Sequence, residues 1–205
     1  MNLTLPGPAG ALEALLDDAP QPRAAVVFAH PLPTHGGTMH TKAVFQGAKG
    51  LARIGCAVLR FNFRGVGKSA GSFDEGQGEM DDYRAALDFM AGRYARVPLW
   101  AAGFSFGSWI ALETGAADAR VSLLIAVAPP VGRYDFANTR ETTKPKVFVQ
   151  GNLDELCSIK ELWAFYGTLK EPKEIAVIDG ANHLFDGKAA EVGEALEDLL
   201  ADFRP

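Results

Sequence analysis

The chain has 205 residues, 48% apolar and 22% charged, with a formal net charge of −5. That composition fits one soluble globular domain over residues 1–205 with a single sizeable core. The mild acidity leaves no electrostatic footprint for nucleic acid or anionic lipid, and the longest apolar run, Leu123 to Val131, is too short for a membrane span and contains Pro129 and Pro130.

In chain order, Leu3-Thr4-Leu5 and residues 11–15 flank Pro6-Gly7-Pro8-Ala9-Gly10 and read as an antiparallel hairpin at a sheet edge, although residues 11–16 also fit a short helix. The start has neither a basic segment nor an apolar run of signal-peptide length, so a cytoplasmic location is expected. Strands are predicted at 24–30, 56–63, 99–104, 122–128, 146–150 and 174–178. Several are apolar almost throughout, the pattern of a parallel sheet covered on both faces. Between them, Val44, Ala48, Leu51 and Ile54 share one helix face ahead of Gly55, and Met80, Tyr83, Leu87 and Met90 form a second stripe. Ser158 and Glu161 have capping-box spacing before Leu162 and Phe165, and Ala189 to Phe203 reads as a last amphipathic helix. This alternation predicts an α/β fold with right-handed crossovers. Cys56 and Cys157 have no metal or disulfide spacing and read as buried free thiols.

Gly103-Phe104-Ser105-Phe106-Gly107 fits G-x-S-x-G between a predicted strand and a predicted helix. A sharp turn there lifts the Ser105 hydroxyl over the sheet and aims the Phe106 N–H at a developing oxyanion. A serine needs a base, and of four histidines only His183 follows Ser105, in a loop after the last strand. Asp154, in the loop after strand 146–150, is the favoured acid, with Glu155 and Asp135 as rivals. After strand 24–30, His30-Pro31-Leu32-Pro33 leaves Leu32 as the N–H donor between two prolines, hence the second oxyanion-hole residue. His30, His35 and His40 match no compact metal motif, so no metal site is predicted and His30 reads as a loop brace. Gly65-Val66-Gly67-Lys68-Ser69 imitates the end of a phosphate loop. Asn62 occupies the position of its first glycine and no helix follows directly, so the segment reads as a long loop in which Arg64 and Asp74 pair.

His30-Pro31-Leu32-Pro33, Gly36-Gly37-Thr38-Met39, residues 60–67 (RFNFRGVG) and residues 103–107 together resemble the α/β-hydrolase superfamily, in particular small capless bacterial serine hydrolases of carboxylesterase or dienelactone-hydrolase type. The resemblance covers nearly the whole chain. It implies an eight-stranded, mostly parallel sheet with an antiparallel second strand, flanked by helices, and a triad on Ser105, Asp154 and His183. Asn152 departs from it, since such proteins often carry Asp there. The expected reaction is hydrolysis of small carboxylic esters, thioesters or lactones through an acyl-enzyme, with no cofactor, a small-molecule ester as substrate, neither nucleic acid nor membrane as partner, and the oligomeric state left open. An acyltransferase with the same triad and a non-catalytic binding protein remain alternatives. The short segment before Lys146 predicts no folded lid and an open site. Phe73, Phe104, Trp109, Phe136, Leu184 and Phe185 are the candidate pocket residues, suggesting a small or partly apolar acyl group.

Overall fold

The computed structural model describes residues 1–204. Asn2–Gly7 (β1) and Gly10–Asp17 (β2) form the antiparallel hairpin. The other strands are Ala25–Ala29 (β3), Ala57–Phe61 (β4), Leu99–Phe104 (β5), Val121–Val127 (β6), Lys146–Gly151 (β7) and Lys173–Ile178 (β8). They form one eight-stranded sheet of order β1-β2-β4-β3-β5-β6-β7-β8. The β2–β4 pairing is antiparallel and every pairing from β4 to β8 is parallel.

The helices are Lys42–Arg53 (α1), Gln77–Arg93 (α2), Phe106–Ala117 (α3), Ala137–Glu141 (α4), Ile159–Thr168 (α5) and Ala189–Leu200 (α6). Alternation along the strands sends Ala25, Val27 and Ala29 into one core with α2, α3 and α5. Val26 and Phe28 enter a second core with α1 and α6 on the opposite face. This two-sided cover explains the near-continuous apolar runs. The capping box forms at α5, where the Ser158 hydroxyl oxygen accepts from the Glu161 N–H and Glu161 accepts from the Ser158 N–H. No described helix is long and apolar enough to cross a membrane.

β3 lies between β4 and β5, so the connections leaving β3 and β5 diverge and open a crevice at their carboxyl ends. Buried Tyr83 of α2 ties these strands together, donating its hydroxyl to the Val27 carbonyl at 2.9 Å and accepting from the Ala102 N–H at 2.9 Å.

The expected Arg64–Asp74 ion pair forms at 3.8 Å, but the closer partner is Asp82 of α2, onto which Arg64 forks at 2.9 and 3.0 Å. Asp82 is fully buried and its Oδ2 also takes the Arg64 N–H, so the guanidinium faces the enclosed carboxylate. The short segment before Lys146 carries α4, whose N-terminal Asn138 and Thr139 N–H groups both donate to the Glu113 carboxylate at 3.0 Å. This five-residue turn is no cap domain.

Candidate active site

β5 ends at Phe104, α3 starts at Phe106, and Ser105 makes the whole turn between them with φ 52° and ψ −124°. This is a strained conformation for a residue with a side chain. The turn closes only because its flanks are bare. A Cβ on Gly103 would stand 2.1 Å from the Gly107 carbonyl oxygen, and one on Gly107 would stand 2.3 Å from the His30 carbonyl oxygen.

The loop after β7 brings Asp154 to the same sheet edge, and the loop after β8 brings His183. The Ser105 hydroxyl donates to His183 Nε2 at 2.8 Å, and His183 Nδ1–H donates to Asp154 Oδ2 at 2.8 Å. An ionised carboxylate only accepts, which places the imidazole proton on Nδ1 and leaves Nε2 free to accept. Asp154 Oδ1 accepts from the Leu156 and Cys157 N–H groups at 2.8 and 2.9 Å, and Oδ2 also takes the Gln150 amide at 2.9 Å. Burial pushes the Asp154 pKa up, but the hydrogen bonds from His183 and from the Cys157 and Leu156 N–H groups outweigh it and hold the carboxyl below its ordinary value. Of the rival acids, exposed Glu155 accepts the His183 backbone N–H at 3.3 Å, and Asp135 pairs with Arg140.

On the other side of the crevice, a short 3₁₀ turn at Pro33–His35 shapes the loop after β3. Among the described residues, the backbone N–H groups of Leu32 and Phe106 have no acceptor, and both residues line the cavity above Ser105. His30 braces this loop. Its Nδ1–H donates to the Pro31 carbonyl at 2.6 Å, and its Nε2 accepts the Phe63 N–H at 3.1 Å. Burial lowers its pKa to about 4, which keeps it neutral and able to accept. With both nitrogens engaged, His30 has no lone pair for a metal.

The cavity measures about 400 Å³. Leu32, Phe106, Pro130, Tyr134, Leu156 and Leu184 supply its apolar wall, with His35, Arg133 and Glu155 among them. Leu184 is the one sequence-predicted pocket residue on that wall. Phe136 and Phe185 are 1% exposed and belong to the two cores. Phe104 is also fully buried, 5.5 Å behind the His183 ring. Phe73 and Trp109 lie one layer back. Phe73 packs on Phe106, and Trp109 stacks on Tyr134 at 4.3 Å while donating its indole N–H to the Asp135 carbonyl. An aromatic in an apolar stretch says little about which shell it occupies, hence the difference. Gln150 and Arg133 were missed. The signal for Gln150 was its place as the one amide ending the apolar strand KVFVQ.

In the Gly65–Ser69 loop, the Lys68 N–H already donates to Glu13 and the Ser69 hydroxyl oxygen accepts the Glu13 N–H. The segment is stitched to β2, and α2 does not begin until Gln77.

The family model described as serine aminopeptidase, S33, matches residues 20–135. An uncharacterized protein of Rickettsia prowazekii is 34% identical over 204 residues, covering 95% of this chain and 86% of the relative. An alpha-beta serine hydrolase homologue from Coxiella burnetii superposes with a TM-score of 0.92 at 38% identity, covering 98% of this chain and 97% of the other. A Xanthomonas campestris protein, described as an α/β serine hydrolase without lid, gives 0.90 at 35% identity, covering 100% and 96%. With the elbow, the sheet order and these relatives in agreement, the chain belongs to the serine aminopeptidase S33 family of α/β serine hydrolases.

Proposed function

We propose that this protein hydrolyses small carboxylic esters, thioesters or lactones through an acyl-enzyme on Ser105. The observation that carries the reading is the unbroken chain of hydrogen bonds from Ser105 through His183 to Asp154, 2.8 Å at each link. In this reading Ser105 Oγ attacks the carbonyl carbon as its proton passes to His183 Nε2, and Asp154 stabilises the imidazolium through Nδ1–H. The Leu32 and Phe106 N–H groups receive the oxyanion, a contribution of roughly 10²–10³ in rate per donor. Collapse expels the alcohol or thiol, which takes the proton from His183. Water then attacks the acyl-serine with His183 as base, and the acid leaves.

The wall supports small acyl compounds over peptides. It encloses a cavity of about 400 Å³ at the size of a small ligand, with no lid to form an extended cleft. Two buried, unpaired cysteines suit a reducing compartment and support a cytoplasmic location.

Treatment with a fluorophosphonate probe, followed by a panel of nitrophenyl esters and aminoacyl nitroanilides, tests this reading. The expectation is one adduct, absent in Ser105→Ala, with esters turned over and anilides not. An unlabelled native protein would remove the reading, and faster anilide cleavage would replace it with a peptidase.

A further inference from the structure

We propose that Arg133 recognises a carboxylate on the substrate, so that the preferred esters, thioesters or lactones carry a second, anionic carboxyl group. This assignment rests on the hydrolase reading above. Arg133 lines the cavity that holds Ser105 and His183. A turn closed by its own N–H on the Pro130 carbonyl at 3.2 Å carries it, and the next residue, Tyr134, is stacked against Trp109. Its Nε–H reaches across to the Leu156 carbonyl at 3.4 Å, so the side chain bridges the loops after β6 and β7. That leaves both terminal guanidinium nitrogens without an acceptor among the described residues. Arg133 enters none of their ion pairs.

Neither nearby acid bonds to it. Glu161 feels the Arg133 charge through space but turns its oxygens to the Ser158 N–H and hydroxyl at 2.9 and 2.8 Å, and Glu155 accepts the His183 N–H. A guanidinium with one edge tethered and its fork free, beside an otherwise largely apolar wall, suits a planar carboxylate.

The test compares 4-nitrophenyl hexanoate with mono-4-nitrophenyl adipate and 4-carboxyphenyl hexanoate, which place the carboxylate on the acyl and alcohol sides. Arg133→Gln is expected to lower kcat/KM about tenfold on a carboxylated ester and less than about twofold on the neutral one. Added salt narrows the native preference as it screens the pair. Equal losses on all three esters, or no native preference for either carboxylated ester, overturn the assignment while leaving the hydrolase reading intact. No turnover of any ester together with no fluorophosphonate labelling removes both.

The geometry independently assigns Gln150 as a positioning residue for the acid. Its side chain is fully buried at the end of β7. One amide hydrogen goes to Asp154 Oδ2 at 2.9 Å and the other to the Cys157 carbonyl at 2.8 Å. Its own carbonyl oxygen has no partner. A flipped amide would aim that oxygen at two acceptors, so the demand of Asp154 and Cys157 fixes the orientation. With His183 and the two loop N–H groups, Gln150 completes four donors around the Asp154 carboxylate and sets how strongly Oδ2 draws on the imidazole. Glu155, Glu161, Arg133 and the Cys157 thiol are the other titratable groups around this loop.

Gln150→Met keeps the volume and removes both donors. A carboxylate with one donor fewer holds the imidazolium more firmly, so the acid limb of the fluorophosphonate labelling rate should move to higher pH by about half a unit or more. Gln150→Leu, which also removes both donors, should move it the same way and serves if the methionine variant does not fold. A slower reaction with an unmoved limb overturns the assignment and leaves a packing role. If native Ser105 is not labelled, the hydrolase reading itself falls.

Discussion

Asn152 donates its side-chain N–H to Asp179 Oδ1 at 2.5 Å, and its carbonyl oxygen accepts the Gly180 N–H at 2.7 Å. The two loops tied together here are those that carry Asp154 and His183. Backbone bonds from the Asn152 and Leu153 N–H groups to the Ile178 and Ala181 carbonyls, at 3.2 and 3.0 Å, complete the lacing. Asparagine supplies both a donor and an acceptor, whereas aspartate would set two carboxylates against each other. Asn152→Asp is therefore expected to lose about 1 kcal/mol of stability at neutral pH. Urea unfolding measures it. Equal stability of the two proteins at neutral pH contradicts the lacing.

Gly107 is the second point at which the site depends on a missing side chain. Because a Cβ there would collide with the His30 carbonyl oxygen, Gly107→Ala forces α3 away from the end of β3. A loss of about 2–4 kcal/mol is expected, together with reduced fluorophosphonate labelling, since the Ser105 turn and the Leu32 loop shift relative to one another. Thermal unfolding beside labelling rates reads both. Unchanged values for the alanine variant would show that the strands and helix absorb the methyl group.

The Arg64–Asp82 pair is 11% and 0% exposed and anchors the long loop between β4 and α2. Removing Arg64 strands the enclosed Asp82 carboxylate, so Arg64→Ala is expected to cost about 3–5 kcal/mol, and Asp82→Ala less, because Asp74 remains 3.8 Å from the guanidinium. The double variant should be less harmful than the sum of the two, because it leaves no stranded charge. A double-mutant cycle by urea denaturation decides this, and simple additivity would contradict the pairing.

His30 should make stability depend on pH. Its pKa falls from 6.5 to about 4 on folding because burial disfavours the charged ring. The unfolded chain therefore binds the proton more readily, and stability is complete above about pH 6.5 and lost progressively towards pH 4, by roughly 3 kcal/mol in all. Protonation would also deprive the Phe63 N–H of its acceptor and loosen the Leu32 loop. Unfolding free energies of the native protein and His30→Gln between pH 4 and 7 test this. The native slope should exceed that of the variant, and parallel curves would contradict it.

How much was legible follows from where each signal sits. Ser105, Asp154 and His183 each lie just beyond the end of a strand, and strand ends show in short-range hydrophobic runs and glycine spacing, so these positions could be named from sequence. The hairpin and the parallel strands were legible for the same reason. What escaped depends on contacts between distant segments. Asp74 pairs with Arg64 at 3.8 Å, but the closer partner, Asp82, comes from α2 folding back against the loop, and no local pattern encodes that return. α4 is a single turn fixed by Glu113 from α3, too short for any periodicity. Phe136 and Phe185 were placed in the pocket because an aromatic beside a catalytic loop looks the same in sequence whether it faces the ligand or the core.

The most direct measurement is pre-steady-state release of nitrophenol from an activated ester, with mass mapping of the acylated peptide. The expected result is a burst approaching one equivalent, an acyl group on Ser105, and loss of that burst in both Ser105→Ala and His183→Ala. Acylation of another residue, or a burst that survives replacement of His183, would contradict it.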